Sequence, residues 1–300
     1  MAKKQKIQFI VNPVSGNNKS EDIHSLIKAN FDLQKFEFDY KETKAKGHAT
    51  ELSAQAVKDD FDAVIACGGD GTVNEVAKSL VNTNTNLGIL PSGSGNGFAM
   101  YIGMGRNSKH AILKLNKAIP KRIDSCYVND EFFLNLAGVG FDALIAYKAE
   151  NSKKRGLQMY VGMVSKEMIN FKAEQFKIYI DNKIIEGEFT TVAVANAAMY
   201  GYNFSIAPQA ELTDGLLDIV LVKKAPLLRT MGASWRMLNN SLDKSPLVEM
   251  TKSKEVTIQV DKPYYYHLDG ESFSFEGKLH FRVNPMSINV LFPEGRQHMN

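Results

Sequence analysis

Cysteine and tryptophan are scarce in this chain: Cys67, Cys126 and Trp235 are the only ones in 300 residues. Both cysteines sit among apolar neighbours without metal-ligand spacing, which leaves no basis for a disulfide framework or a zinc site and favours a reducing compartment. The cytoplasm is the expected location. No apolar run approaches the roughly 18 residues of a membrane-spanning helix, and the apolar part of "MAKKQKIQFIVNP" is too short for the core of a signal peptide. Any membrane contact is therefore expected to be peripheral. An excess of one charge sign is also lacking, with 36 basic and 33 acidic residues for a net charge of +3. That balance argues against a nucleic-acid partner yet tolerates an anionic membrane surface. Internal repeats and low-complexity tracts are absent.

What the chain does have is an ordinary globular composition, 44% hydrophobic, and a length suited to two domains or one large one. Up to about residue 122 the pattern alternates. "KIQFIVNP", "FEFDYKET", "FDAVIACGG" and "LGILP" read as strands, and "SEDIHSLIKANF", "HATELSAQAVKD" and "TVNEVAKSLVN" as helices, with Ser20 as an N-cap. This order implies crossovers and a parallel sheet. From residue 123 to 284 the texture is β-rich. Runs around Asn-Asp and Asp-Asn turns, then short strands near 216–222, 255–260, 264–268 and 272–283, predict an antiparallel sandwich. Two stretches in it, "ALIAYKAENSKKRGLQMYVGMVSKEMINF" and "PLLRTMGASWRMLNN", read as helical, and the last apolar run, "SINVLFP" in 285–300, is expected to return to the first domain.

The chemistry is concentrated at glycine loops. "ACGGDGTVNEVA" carries an apolar strand into a helix through three glycines, more backbone freedom than a turn requires, which fits close approach of a phosphate to the free N–H groups of the helix start. Asp70 cannot itself attract a phosphate, so its place among these glycines fits a divalent cation between the two, that is, a magnesium nucleotide. "LPSGSGNGFA" repeats the arrangement after the next strand, and with "VNPVSGN" three loops can converge at the carboxyl ends of a parallel sheet. "SGNNKS" fails as a P-loop because Asn18 replaces the glycine before the lysine, and "GVGFDA" lacks the βαβ context of a dinucleotide fingerprint. In "YYYHLDGESFSFEG", Asp269 and Glu271 flank Gly270 among aromatics whose desolvating effect suits a general base; a hairpin turn with solvated acids is the bland alternative. His267 reads more readily as a packed histidine than as a ligand.

Taken together, "NPVSG", "TKAKGHA", "GGDGTVNEV", "PSGSGN", "GVGFDA", "APQAELTDGLLDI" and "LDGE" resemble, in order and spacing, the diacylglycerol kinase catalytic-domain family, which includes bacterial lipid kinases and sphingosine kinases. The resemblance implies an N-terminal nucleotide-binding α/β domain like that of phosphofructokinase and NAD kinase, a C-terminal β-sandwich for the lipid, and an active site between them. It implies ATP and Mg2+ as cofactors and transfer of the γ-phosphoryl group to a lipid hydroxyl. Asn12, Ser15, Thr43, Gly68, Gly69, Gly71, Thr72, Ser94 and Asn96 would surround the nucleotide, with Asp70 acting on its magnesium. Glu271 would be the base, Asp142 would lie on the substrate side, and Asp214 with the Leu216 carbonyl would hold a second, structural metal. An Asp-Gly hairpin turn accounts for the last pair nearly as well. One departure is Gly97, where many bacterial diacylglycerol kinases carry an acid and sphingosine-kinase-like members often a small residue, so the choice of lipid stays open. Lys153, Lys154 and Arg155 before "GLQMYVGM", and Arg229 and Arg236 around Trp235, are the expected membrane-facing segments. An NAD kinase-like soluble kinase and a non-catalytic nucleotide- or lipid-binding regulator are the rival readings. On oligomeric state the sequence is silent, and a homodimer is only a guess.

Overall fold

A computed structural model describes residues 3–16, 20–93, 95–152 and 156–295. The chain divides into two compact units, Met1–Ile123 with Met286–Asn300, and Asp124–Pro285.

The first unit runs β1 (Gln5–Val11), α1 (Ser20–Asn30), β2 (Phe36–Glu42), α2 (His48–Lys58), β3 (Ala63–Gly68), α3 (Asp70–Leu80), β4 (Asn86–Pro91), α4 (Gly97–Tyr101) and α5 (Ser108–Leu115). β3 is buried at every residue, as a parallel strand covered on both faces must be. Strand order is β2-β1-β3-β4, all parallel, so the chain builds outward from β1 in one direction and from β3 in the other. The order reverses between β1 and β3, which in an open α/β sheet is where a ligand crevice forms. Register fixes which ends meet: Val11 pairs with Cys67 and with Glu42, and Gly68 with Pro91, so the carboxyl ends share one edge. α3 buries Val73, Val76, Ala77 and Leu80, a spacing that places all four on one helix face. Fully buried side chains such as Phe9, Ile65, Leu80 and Ile89 each contribute about 1.5–3 kcal/mol.

The second unit follows from β5 (Ile119–Val128), which enters it from the first, through β6 (Glu131–Phe133), β7 (Leu136–Gly140), α6 (Phe141–Glu150), α7 (Leu157–Asn170), β8 (Glu174–Ile180), β9 (Lys183–Ala195), β10 (Leu217–Lys223), α8 (Leu227–Leu238), β11 (Val248–Ser253), β12 (Glu255–Leu268) and β13 (Glu271–Phe292). β10 with β9 and β11, β12 with β7, β8 and β13, β9 with β7 and β8, and β5 with β6 all pair antiparallel. β9 pairs with β8 through its first half and β7 through its second, and β12 does the same, so each long strand passes from one layer to the other. The layers form a β-sandwich around Phe133, Phe176, Ile178, Val192, Ile258 and Phe281. Hairpin turns use residues that tolerate positive φ, Asn129, Asp181 and Asp269 with Gly270.

Two expectations change here. The separate strands expected at 255–260 and 264–268 are one strand with a register shift between Val260 and Tyr264, where Pro263 has no N–H for the ladder. The strand expected at 272–283 runs on to Phe292, and its Val290 pairs in parallel with Leu87 of β4 in the first unit's sheet.

Candidate functional site

In the first unit the loops after β1, β3 and β4 interlock. The Asn12 N–H donates to Cys67 O at 3.0 Å, its Nδ2 to Thr72 Oγ1 at 3.2 Å, and its Oδ1 accepts from Val14 N at 3.1 Å. Ser15 N–H closes the same loop onto Asn12 O, and Thr43 N–H donates to Val11 O just past β2. Ser92 and Gly93 N–H both reach Gly68 O. Gly16 has φ +69°, and a Cβ there would lie 1.8 Å from Ser92 O; a Cβ on Gly93 would lie 2.5 Å from Gly69 Cα. No other residue type permits these approaches. Asn12, Ser15, Thr43, Gly68, Gly69, Gly71, Thr72 and Asn96 thus sit at a strand end, on loops or at helix starts along one sheet edge, while Ser94 lies outside the described residues.

α3 has Gly69 at its N-cap, which as a glycine offers no side-chain cap to the helix start. Asn96, 3% exposed and left-handed at φ 53°, donates from Nδ2 to Gly93 O at 2.7 Å, and its buried Oδ1 has no hydrogen-bond partner. Asp70 is the one acid in the three loops, and it also serves the fold, since Gly97 N–H donates to its Oδ2 at 3.0 Å and Phe98 N–H to its Oδ1 at 3.1 Å. The carboxylate therefore caps α4, a role that the sequence does not reveal. Glu75 of the same motif has a structural role that its spacing likewise does not announce. It accepts from Gly47 N at 2.8 Å and Ala49 N at 3.2 Å, which caps α2 and explains why "TKAKGHA" and "NEV" occur together.

These features fit a magnesium nucleotide. A helix start and glycine-lined backbone suit phosphate oxygens, and a single acid suffices, because magnesium takes one or two carboxylates together with substrate phosphates and water. Among the described residues no group of three or more His, Cys, Asp or Glu is placed to hold an ion.

In the second unit the two acids of "LDGE" separate. Asp269 Oδ1 accepts from Asn135 N at 2.9 Å and Leu136 N at 3.0 Å, and its Oδ2 from Leu134 N at 2.9 Å. It anchors the segment leading into β7, and three backbone donors leave it ill-suited to take a proton. Glu271, half-buried at the start of β13, is the other acid of the turn. Asp142, in the first turn of α6, accepts from Tyr200 OH at 2.9 Å and from His267 Nε2 at 3.1 Å, both at Oδ2, and from Ala143 N at Oδ1. His267 is 2% exposed, a packed histidine, and its Nδ1 has no partner. Burial and then the Asp142 charge push the Tyr200 phenol well above its usual range and that of Tyr160 to about 12.

The expected second metal position does not fit a divalent ion. Leu216 N–H donates to Asp214 Oδ1 at 3.0 Å, and the Lys252 ammonium meets Asp214 Oδ2 at 2.7 Å, Gln209 O at 3.1 Å and Asp218 Oδ2 at 3.6 Å. The Lys252 ammonium already supplies a positive charge beside both Asp214 and Asp218. Burial lifts Asp218 to about 6 although Lys252 pulls it down. Lys252 itself is held above its usual value: burial lowers it, but the bond to Asp214 and the charges of Asp218 and Asp214 outweigh that. The lysine, 38 residues beyond Asp214, gave no signal in the sequence.

Of the expected membrane-facing residues, 153–155 lie outside the described residues, Trp235 on α8 is 65% exposed, and α7 buries none of its side chains. No helix among the described residues is long and apolar enough to cross a membrane.

Residues 6–128 match the diacylglycerol kinase catalytic domain, and residues 135–292 the YegS C-terminal NAD kinase beta sandwich-like domain. A diacylglycerol kinase of Bacillus subtilis is 29% identical over 273 residues, 89% of this chain and 90% of that protein. A protein of Chromohalobacter salexigens named as a YegS-like lipid kinase is 29% identical over 257 residues, 83% of this chain and 82% of its own. Among solved structures, a diacylglycerol kinase from Bacillus anthracis superposes with a TM-score of 0.74 at 22% identity, covering 98% of this chain and 99% of the other. An NAD kinase from Archaeoglobus fulgidus in complex with ATP gives 0.54 at 14%, covering 97% and 95%. At these identities the superpositions speak for the fold alone.

Proposed function

The chain belongs to the diacylglycerol kinase catalytic-domain family of lipid kinases, and from that premise we propose that it transfers the γ-phosphoryl group of ATP to the hydroxyl of a lipid alcohol, diacylglycerol or a close relative. The observation that carries this is the interlocking of three glycine loops at the β1/β3 reversal, with Asp70 among them. The first unit holds the nucleotide: backbone amides at the start of α3 and along the loops meet the phosphate oxygens, and Asn12 and Thr72 hold the loops in register. Asp70 is the residue that would hold magnesium, which when bound neutralises charge on the transferring phosphoryl group. In the second unit Glu271 accepts the hydroxyl proton as that oxygen attacks the γ-phosphorus and the bond to ADP breaks. Such proton transfer contributes about 100- to 10,000-fold; the rest is positioning and charge neutralisation.

A lipid substrate is met at a bilayer surface, and exposed Trp235 between Arg229 and Arg236 on α8 supports peripheral contact there, on the cytoplasmic side. Liposome sedimentation tests this: unchanged binding of Trp235→Ala removes α8 from the contact.

The deciding experiment is transfer of labelled γ-phosphate from magnesium ATP into organic-extractable product, with diacylglycerol, sphingosine and ceramide in mixed micelles and NAD as the soluble control. Label in one lipid, lost in Glu271→Gln with ATP binding retained, supports the reading. Label in NAD alone refutes it in favour of a soluble kinase, and full turnover by Glu271→Gln refutes the assignment of the base.

A further inference from the structure

Helix α6 is tied to the β12–β13 hairpin at three points along its length. In its first turn Asp142 Oδ2 meets His267 Nε2 at 3.1 Å. Further along, the rings of Tyr147 and Tyr265 stack, with centroids 4.6 Å apart and planes at 24°. At its last residue, Glu150 Oε2 accepts two bonds from Ser272, from Oγ at 2.6 Å and from the backbone N at 3.2 Å. On the hairpin these partners share a face: Tyr265 and His267 are two residues apart on β12, and His267 pairs directly with Ser272 of β13. The helix therefore lies along the face of the hairpin whose turn leads into Glu271.

The amide N–H of Ser272 belongs to the peptide that joins it to Glu271. By strand alternation the Glu271 side chain points to the face opposite that of Ser272, so a bond from Glu150 acts on the backbone and not on the carboxylate. We propose that α6 is a splint for this turn and that Glu150 is a positioning residue for phosphoryl transfer, fixing the Glu271–Ser272 peptide and with it the direction of the Glu271 carboxylate. This rests on the reading of Glu271 as the base. Asp142 and His267 hold the other end of the splint. Asp142, as a carboxylate, can only accept, so the proton between them sits on His267 Nε2.

Both bonds from Ser272 end on one oxygen of Glu150, so a glutamine in its place can accept both, whereas an alanine accepts neither. Steady-state kinetics on the full chain, with the lipid that takes label in the transfer assay, separate the cases. Glu150→Ala is expected to lower kcat about 10-fold, in line with the cost of a small misplacement of a reacting group, at unchanged KM for ATP. Glu150→Gln is expected to restore kcat to within about 2-fold, which a general acid or base at this position would not allow. Wild-type kcat in Glu150→Ala overturns the proposal, as does a Glu150→Gln that folds and is as slow as the alanine variant. Should Glu150→Ala not fold, Ser272→Ala removes the shorter bond alone and must lower kcat for the proposal to stand. Failure of the premise reads differently: Glu271→Gln would then turn over at the wild-type rate whatever Glu150 does.

Discussion

Replacing Asp70 by asparagine tests whether its carboxylate fastens α4 as well as serving the nucleotide. In the native chain both oxygens accept backbone N–H groups, from Gly97 at 3.0 Å and Phe98 at 3.1 Å. Asparagine keeps one acceptor and turns an NH2 group toward the other N–H, so one bond becomes a contact between two donors. A hydrogen bond to a charged acceptor contributes about 1.5–3 kcal/mol and an orphaned donor costs about 1–3 kcal/mol. Loss of a negative charge at a helix start adds about 0.3–1 kcal/mol, the lower part of which suits a helix of five residues. Asp70 is partly exposed and water can reach some of these groups, so the sum settles near 2–4 kcal/mol rather than the full total. For units of this size that lowers Tm by about 5–10 °C. Calorimetry of the chain without nucleotide reads this effect apart from catalysis, and the transfer assay reads turnover, which should nearly vanish. A variant with lost turnover and an unchanged Tm would refute the cap and leave Asp70 serving the nucleotide alone.

Gly16→Ala should raise the KM for ATP at least about 10-fold with a smaller effect on kcat, because a Cβ at φ +69° meets Ser92 O and must push the β1 loop off the β4 loop; an unchanged KM would mean that the two loops need not touch. The wild-type Tm should not respond to EDTA or added magnesium in the absence of nucleotide, whereas Lys252→Met, which strips Asp214 and Asp218 of their ammonium, should lose about 1–3 kcal/mol and regain part of it with magnesium. An EDTA-sensitive wild type would restore the structural metal. Asp218 titrates at about 6 when folded against its usual 3.8, so the folded chain binds the extra proton between those values and stability falls as pH rises through them. Asp218→Asn should therefore raise the free energy of unfolding by a margin that grows from pH 4 to pH 7, reaching about 1–3 kcal/mol, and a constant margin across that range would exclude the titration.

The glycine loops were legible because their signal is local: an apolar strand, then residues that only close approach requires, at β1, β3 and β4. The turn residues of the second unit were legible for the same reason, since Asn129 and Asp181 advertise positive φ. What stayed hidden is the choice of partner across distance. Glu75 caps a helix that begins 27 residues before it, Asp269 anchors amides more than 130 residues away, and Lys252 stands beside Asp214, where the resemblance implied a metal. No periodicity encodes such pairings; they arise when elements with their own reasons to form come to rest side by side. β11 escaped notice for a different cause. Its "VEMTKS" lies at an edge with only one residue buried, too weak an alternation to stand out.

The acids of the motifs consequently fall into two groups that sequence alone treats alike. Glu75 and Asp269 spend their oxygens on backbone amides, and Asp142 on Tyr200, His267 and Ala143 N. Amide replacement at these positions removes an acceptor that the fold uses. Asp269→Asn should therefore lose about 2–4 kcal/mol, since one of three buried amides faces a donor in place of an acceptor, and kcat per folded molecule should fall less than the yield of folded protein. Glu271→Gln should show its main effect in the chemistry, with turnover reduced at least about 100-fold. Denaturation midpoints and active-site-normalised rates on the two variants set them on separate axes. If both variants lost turnover with stability intact, Asp269 would belong to the chemistry and its three amides would be the consequence of its position rather than its purpose.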